Sequence, residues 1–272
     1  MYPEQWFERF TRIVSQPEAQ INLAEAALVI AADEYPELDV ARYLAQLDAW
    51  AEHIRDRVET APTPRDKVNT LNVYLFEELG FKGNREAYYD PRNSYLNDVL
   101  ERRLGIPILL SIVYLEIGWR LGLPVGGVAM PGHFIVRYKT DDLVILIDPF
   151  EGGHVIGQFP LPQPADVLAR LNWIQSASPS QILARLLNNL RVIFVQEEAH
   201  LRAYRAVEKI LLLQPNAPDV LREAGLLAYH LKLYQRAHDH FDAYLRHFAH
   251  TKDAEIVRAR LQQVEQILLR LN

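Results

Sequence analysis

The chain has 272 residues, 49% of them hydrophobic, with 35 acidic against 29 basic side chains and a net charge of -6. That length carries one large or two medium domains with cores of their own, and the acidic balance argues against a general phosphate-binding surface, so nucleic acid is not an expected partner. There is no cysteine, which removes disulfides and thiolate chemistry.

Glu4, Glu8 and Arg9 interrupt the N-terminus before any apolar core of signal-peptide length can form. The stretch Ile108 to Leu121 is broken by Ser111, Glu116 and Arg120, and falls short of the roughly 20 apolar residues that span a bilayer. A cytoplasmic chain without membrane association is expected. The first region, about residues 1 to 86, is helical in pattern. Leu23 to Ala32 and Val40 to Val58 carry apolar residues at three and four spacing, with Tyr35-Pro36 breaking the chain between them. Ala61-Pro62-Thr63-Pro64 reads as a loop before a helix over Asp66 to Leu79.

The second region, about 87 to 175, mixes helix and strand. Asn93 or Ser94 can cap a helix running through Arg103, which Gly105 closes, and Pro107 suits the first position of a helix to Leu121. Gly126-Gly127 and Gly152-Gly153 read as turns. Around His133, Phe134, Val136 and Tyr138 alternate with Ile135 and Arg137, a strand pattern, and Lys139 to Asp142 supplies a turn before the apolar run Leu143 to Ile147. Gln158 to Pro164 reads as a loop and Ala165 to Leu171 as a short helix.

The third region, from about Pro179, is helical and repetitive. Thirty-four residues separate Leu187 from Leu221, Ala203 from Ala237, Val207 from Phe241 and Leu211 from Leu245. This is the tetratricopeptide period, and it gives two repeats. Gly225, Tyr234, Ala237 and Phe241 fill the small and aromatic packing positions, Pro215 closes the first unit, and Ala254 to Leu271 serves as a capping helix.

Chemistry concentrates in the hairpin. A strand bearing His133 next to one ending at Asp148 can bring imidazole and carboxylate together, and the carboxylate then fixes the tautomer and supports the protonated ring. That is a triad without its nucleophile. The same pair can equally be a structural lock between strands. Arg137 shares the strand face of His133 and could meet a substrate carboxylate or lie at a solvated edge. Asn93, Asn97 and Asp98 could line the same cleft or cap local structure. Four histidines, His238, His240, His247 and His250, crowd one helix, but no face carries more than two and no HExxH pattern is present, so no metal is expected. No other cofactor is expected either.

The run YYDPRNSYLNDVLERRLGIPILLSIVYLEIGWRLGLPVGGVAMPGHFIVRY, with EYPELDVARYLAQLDAWA before it and LIDPFEGG and the repeats after it, closely resembles the bacterial transglutaminase-like family of regulators of sirC expression. The resemblance covers most of the chain. It implies an α+β fold: a transglutaminase/papain-like core with N-terminal helices and a C-terminal all-α tetratricopeptide region, divided as 1–86, 87–175 and 179–272. In active relatives the core helix begins with a nucleophilic cysteine, where unpaired N–H groups and the helix dipole favour a thiolate. Here the matching stretch is Gly105-Ile106-Pro107, with proline in the nucleophile's place. His133 and Asp148 match the remaining triad positions, and Leu109 stands where many relatives carry a hydroxyl. The one hydroxyl nearby, Ser111, lies about a turn inside the helix and is aimed elsewhere. Two functions are therefore weighed. The preferred one is a non-catalytic, regulatory module that binds a protein or peptide. The alternative is an acyl-transfer or peptide-hydrolase enzyme using water or Ser111 beside His133 and Asp148.

Overall fold

The computed structural model describes residues 4–160 and 175–271, and the chain divides into two compact units, Met1–Leu186 and Leu187–Asn272. The first unit opens with helices α1 (Glu4–Val14), α2 (Leu23–Ala31), α3 (Val40–Glu59) and α4 (Pro64–Asn72). The last three begin where a side chain satisfies free N–H groups: Asn22 caps α2, Asp39 caps α3 and Thr63 caps α4. α4 starts two residues earlier than the sequence suggests because Pro64 itself occupies the first turn, and beyond Asn72 the backbone widens into π-type turns over Val73–Glu78.

Short parallel strands β1 (Lys82–Gly83) and β2 (Leu104–Gly105) bracket a 3-10 turn over Pro91–Ser94 and helix α5 (Leu96–Arg102). The expected cap by Asn93 or Ser94 is not made. Asp90 caps the 3-10 turn, which consumes both residues, and Tyr95 precedes α5 without a side-chain cap. Nor does Gly105 close α5. Arg103 takes the left-handed conformation at φ 62, its guanidinium held over the rings of Trp50 and Phe81 at 4.5 and 5.0 Å, and Gly105 belongs to β2. Helix α6 (Pro107–Arg120) follows and is buried over most of its length.

Four strands form one antiparallel sheet in chain order: β3 (Val125–Met130), β4 (His133–Lys139), β5 (Leu143–Asp148) and β6 (His154–Pro160). The sequence pattern showed only the middle two. Gly126-Gly127 lies inside β3 and is no turn, because Gly127 must leave room for the Phe134 ring, which would stand 2.6 Å from an added Cβ. Gln158 to Pro160 is likewise strand and not loop; β6 sits at the sheet's edge, where proline costs no ladder bond. Positions 161–164 and the expected helix over Ala165 to Leu171 lie outside the described residues. α6 packs against β3 and β4, while Val128, Ile135, Val144 and Leu146 form a buried cluster, joined by Met130, on the strand face that also bears His133.

Helix α7 (Pro179–Gln196) crosses from the first unit into the second. There α8 (His200–Leu213), α9 (Pro218–His230), α10 (Tyr234–Phe248) and α11 (Ala254–Leu271) pack in succession. Residues one period apart have matching environments: Ala203 and Ala237, and Val207 and Phe241, are all fully buried. Gly225 gives Phe241 its space, since a Cβ there would come within 2.3 Å of the ring.

Candidate functional site

His133 opens β4 and Asp148 closes β5, and the pairing of Val136 with Ile147 sets the two side chains diagonally on one face. His133 Nε2 lies 2.7 Å from Asp148 Oδ2. An ionised carboxylate can only accept, so Nε2 is the donor of this bond, and in the neutral form of the ring the lone pair lies on Nδ1. The other carboxylate oxygen, Oδ1, accepts from the backbone N–H groups of Phe150 and Glu151 at 3.0 and 3.4 Å. These bonds start a 3-10 turn at Pro149, so the local Asp-Pro-Phe sequence holds the carboxylate independently of the imidazole. Asp148 is buried, whereas the His133 side chain is 31% exposed.

One aromatic ring meets the imidazole, and further aromatic and basic side chains pack around that ring and the start of β4. Phe150 meets the His133 ring edge to face at 6.3 Å, Tyr88 meets Phe150 at 6.1 Å, and Arg85 lies over Phe150 while pairing with Glu151. From α7, the Arg185 guanidinium donates to the carbonyls of Met130 and His133 at 2.9 and 2.8 Å and lies 5.6 Å from the Phe134 ring centre. Burial lowers the Arg185 pKa, and burial raises that of the neighbouring Tyr88 hydroxyl. Sequence reading missed these contributors. Phe150 could have been found in the Asp-Pro-Phe motif, but Arg185 sits in what reads as the start of the repeat region.

The other sequence candidates are placed apart from the dyad or turned away from it. Ser111 is fully buried, and its Oγ is aimed at the Phe134 carbonyl at 3.5 Å. Asn93 is fully buried as well: its amide donates to the carbonyls of Ala87 and Tyr88 and accepts from Asn84, which folds the segment bearing Tyr88. Asn97 lines a different cleft, with Tyr35 and Asp98. Arg137 does share the face of His133, four residues along β4; burial lowers its pKa and its Nε makes no hydrogen bond among the described residues. On α10, His240 pairs with Glu208 at 3.0 Å.

The stretch that builds α6, the sheet and the His133–Asp148 pair is also the stretch that a family profile matches. The transglutaminase-like superfamily profile covers residues 41–188, more than half of the chain. The chain belongs to that superfamily. A tetratricopeptide-repeat profile covers residues 190–262. A UPF0162 protein of Xylella fastidiosa strain Temecula1 is 37% identical over 261 residues, 93% of each chain, and one of Vibrio cholerae is 27% identical over 235 residues, 84% of each. Human F-box only protein 21 is 30% identical over 187 residues, 61% of this chain and 28% of that longer one. No solved structure matches significantly. Among the described residues no helix of this transglutaminase-like chain is long and apolar enough to cross a membrane.

Proposed function

We propose that this transglutaminase-like chain is a regulatory protein that works by binding another protein or peptide, with its catalytic centre reduced to a structural pair. The observation that carries this reading is Pro107 at the head of α6, the position at which active relatives place their nucleophilic cysteine. The chain has no cysteine to replace it, and Ser111 is sealed under β4 with its hydroxyl spent on a backbone carbonyl. His133 and Asp148 then act as a strut between β4 and β5. The repeat unit supplies the partner surface, as stacked helix pairs do. Control of sirC expression and a cytoplasmic location belong to this same proposal.

A second reading draws on the dyad itself. Asp148 orients a partly exposed imidazole whose Nδ1 is a base, which is the equipment for activating water or a hydroxyl. Incubation of the full chain with an activated acyl ester and with a glutamine-containing peptide, followed by intact-mass spectrometry and product analysis, separates the two. The binding reading expects no acyl adduct and no turnover above the buffer rate. An adduct on Ser111, or hydrolysis abolished by His133→Ala, would overturn it.

A further inference from the structure

Beside the dyad, one positive charge has no acid. Arg185 spends Nη2 on the carbonyls of Met130 and His133 and lies against the Phe134 ring, and no carboxylate acts on it among the described residues. Its Nε–H and Nη1–H groups have no partner there either, yet they are not among the unpaired side-chain atoms sealed from solvent, so they are open to a ligand. The neighbouring charges are already answered: Arg85 pairs with Glu151, and Asp148 accepts from His133 and from two backbone N–H groups. Burial lowers the Arg185 pKa, as it does for a guanidinium whose charge lacks a counterion.

The second observation is a ledge of rings on the loop after β1. Two buried amides pin that loop: Asn84 accepts from the Ala87 N–H at 3.1 Å and donates to Asn93 at 3.0 Å, while Asn93 donates to the carbonyls of Ala87 and Tyr88 at 2.6 and 3.2 Å. From it Tyr88 and Tyr89 project, 37% and 66% exposed, and Tyr89, Tyr88, Phe150 and His133 follow one another edge to face at 5.4, 6.1 and 6.3 Å. Burial raises the pKa of the Tyr88 hydroxyl, Tyr89 adds to the rise and the Arg185 charge opposes it, so the guanidinium lies within electrostatic reach of that hydroxyl. Rings held outward by buried hydrogen bonds are preorganised for contact, and tyrosine and arginine are the side chains that carry binding energy most often. We propose that this ledge binds an organic carboxylate, its oxygens accepting from Arg185 and Tyr88 and its apolar body lying on the rings of Tyr88, Tyr89 and Phe150. One unanswered positive charge suits a monoanion, whereas the second charge of a phosphate would fall close to Asp148 and Glu151. The binding reading above puts its partner on the repeat unit, so this site goes beyond it, and the failure of one leaves the other standing.

The same carboxylate is carried by a small free acid, by an acidic side chain and by a chain terminus. Calorimetric titration of the full chain at moderate salt should use 3-phenylpropionate and its amide, the capped peptide acetyl-Ala-Glu-Phe-amide, the acetyl-Ala-Gln-Phe peptide with its C-terminus amidated and free, and sodium phosphate. Saturable one-site binding of at least one carboxylate is expected, at least about tenfold tighter than its uncharged counterpart, roughly tenfold weaker in Arg185→Gln and in Tyr88→Phe, and unchanged in Lys252→Gln, which removes an equal charge from an exposed turn of the repeat unit. The carboxylate that binds tightest assigns the source. Arg185 also supports β4 through two carbonyls; should Arg185→Gln melt early, Tyr88→Phe decides alone, because the Tyr88 side chain is exposed and its hydroxyl makes no hydrogen bond among the described residues. Absence of saturable binding by every carboxylate, uncharged counterparts that bind as tightly, phosphate bound in preference to all of them, or affinities indifferent to these substitutions would sink the proposal.

Discussion

Tyr43 shows how one side chain converts packing into a pH response. Burial first, and then its hydrogen bond to Glu101, push its hydroxyl from the ordinary 10 up to about 12. An unfolded tyrosine ionises near 10. Its contribution to stability is therefore complete below that pH and is lost as pH rises through about 12, where the folded chain must also give up the proton. Tyr35, Tyr114 and Tyr204 are raised as well. Tyr43→Phe is expected to flatten the fall in urea midpoint between pH 10 and pH 12, followed by circular dichroism; profiles parallel to the parent's would remove Tyr43 from the account. Nothing in the sequence around Tyr43 announces this, because its partner Glu101 lies 58 residues away. The dyad is the opposite case. His133 and Asp148 are 15 residues apart, and a three-residue hairpin turn leaves few ways to arrange them, so their meeting was legible from the alternation of β4 and the Asp-Pro turn.

At the level of elements, α6 is the axis of the first unit. Glu116 looks out of place in its apolar run, and the structure supplies the reason: its carboxylate accepts from the Ala24 N–H at 2.8 Å at the start of α2 and pairs with Arg120, which in turn reaches Asp48 on α3 at 2.7 Å. Three helices are fastened through one buried acid. Glu116→Ala is expected to cost about 3–5 kcal/mol in urea unfolding, because it strands a buried amide and a partly buried guanidinium, whereas Glu116→Gln, which keeps an acceptor for Ala24, should cost less. Equal losses would show that volume, not polar pairing, holds the helices. In the repeat unit Ala237 is fully buried where α10 meets its neighbours, and Gln235 is exposed, its amide donating to Asp239. Ala237→Leu should overpack by about 1–3 kcal/mol while Gln235→Leu stays within about 0.5 kcal/mol. The thirty-four-residue period made this contrast readable from the sequence, since a repeat needs small residues at the same place in each turn. β3 and β6 were not readable, because glycines and an edge proline erase the alternation that marks a strand.

At the scale of the whole molecule, α7 is continuous while its two ends serve different units. Its N-terminal half buries Ile182 and carries Arg185 to the carbonyls beside His133, and its C-terminal half pairs Arg191 with Glu223 of α9 at 2.9 Å. A chain ending at Glu198 is expected to retain a cooperative melt of the first unit. One ending at Ser178 should melt at least about 10 °C lower, having lost the buried aliphatic and guanidinium contacts of α7. Equal melting temperatures would show that the first unit is indifferent to that helix. The sequence by itself determined what is periodic or local: the helical ends of the chain, the repeat unit, the hairpin bearing His133 and Asp148, and the proline at the head of α6. Only the tertiary structure decided which distant side chains share a site and which do not: Arg185 against the dyad, Asn97 at a different cleft, and Ser111 turned toward a carbonyl. The division is physical, because spacing and turn chemistry act between near neighbours, whereas burial and electrostatic pairing depend on which elements the core draws together.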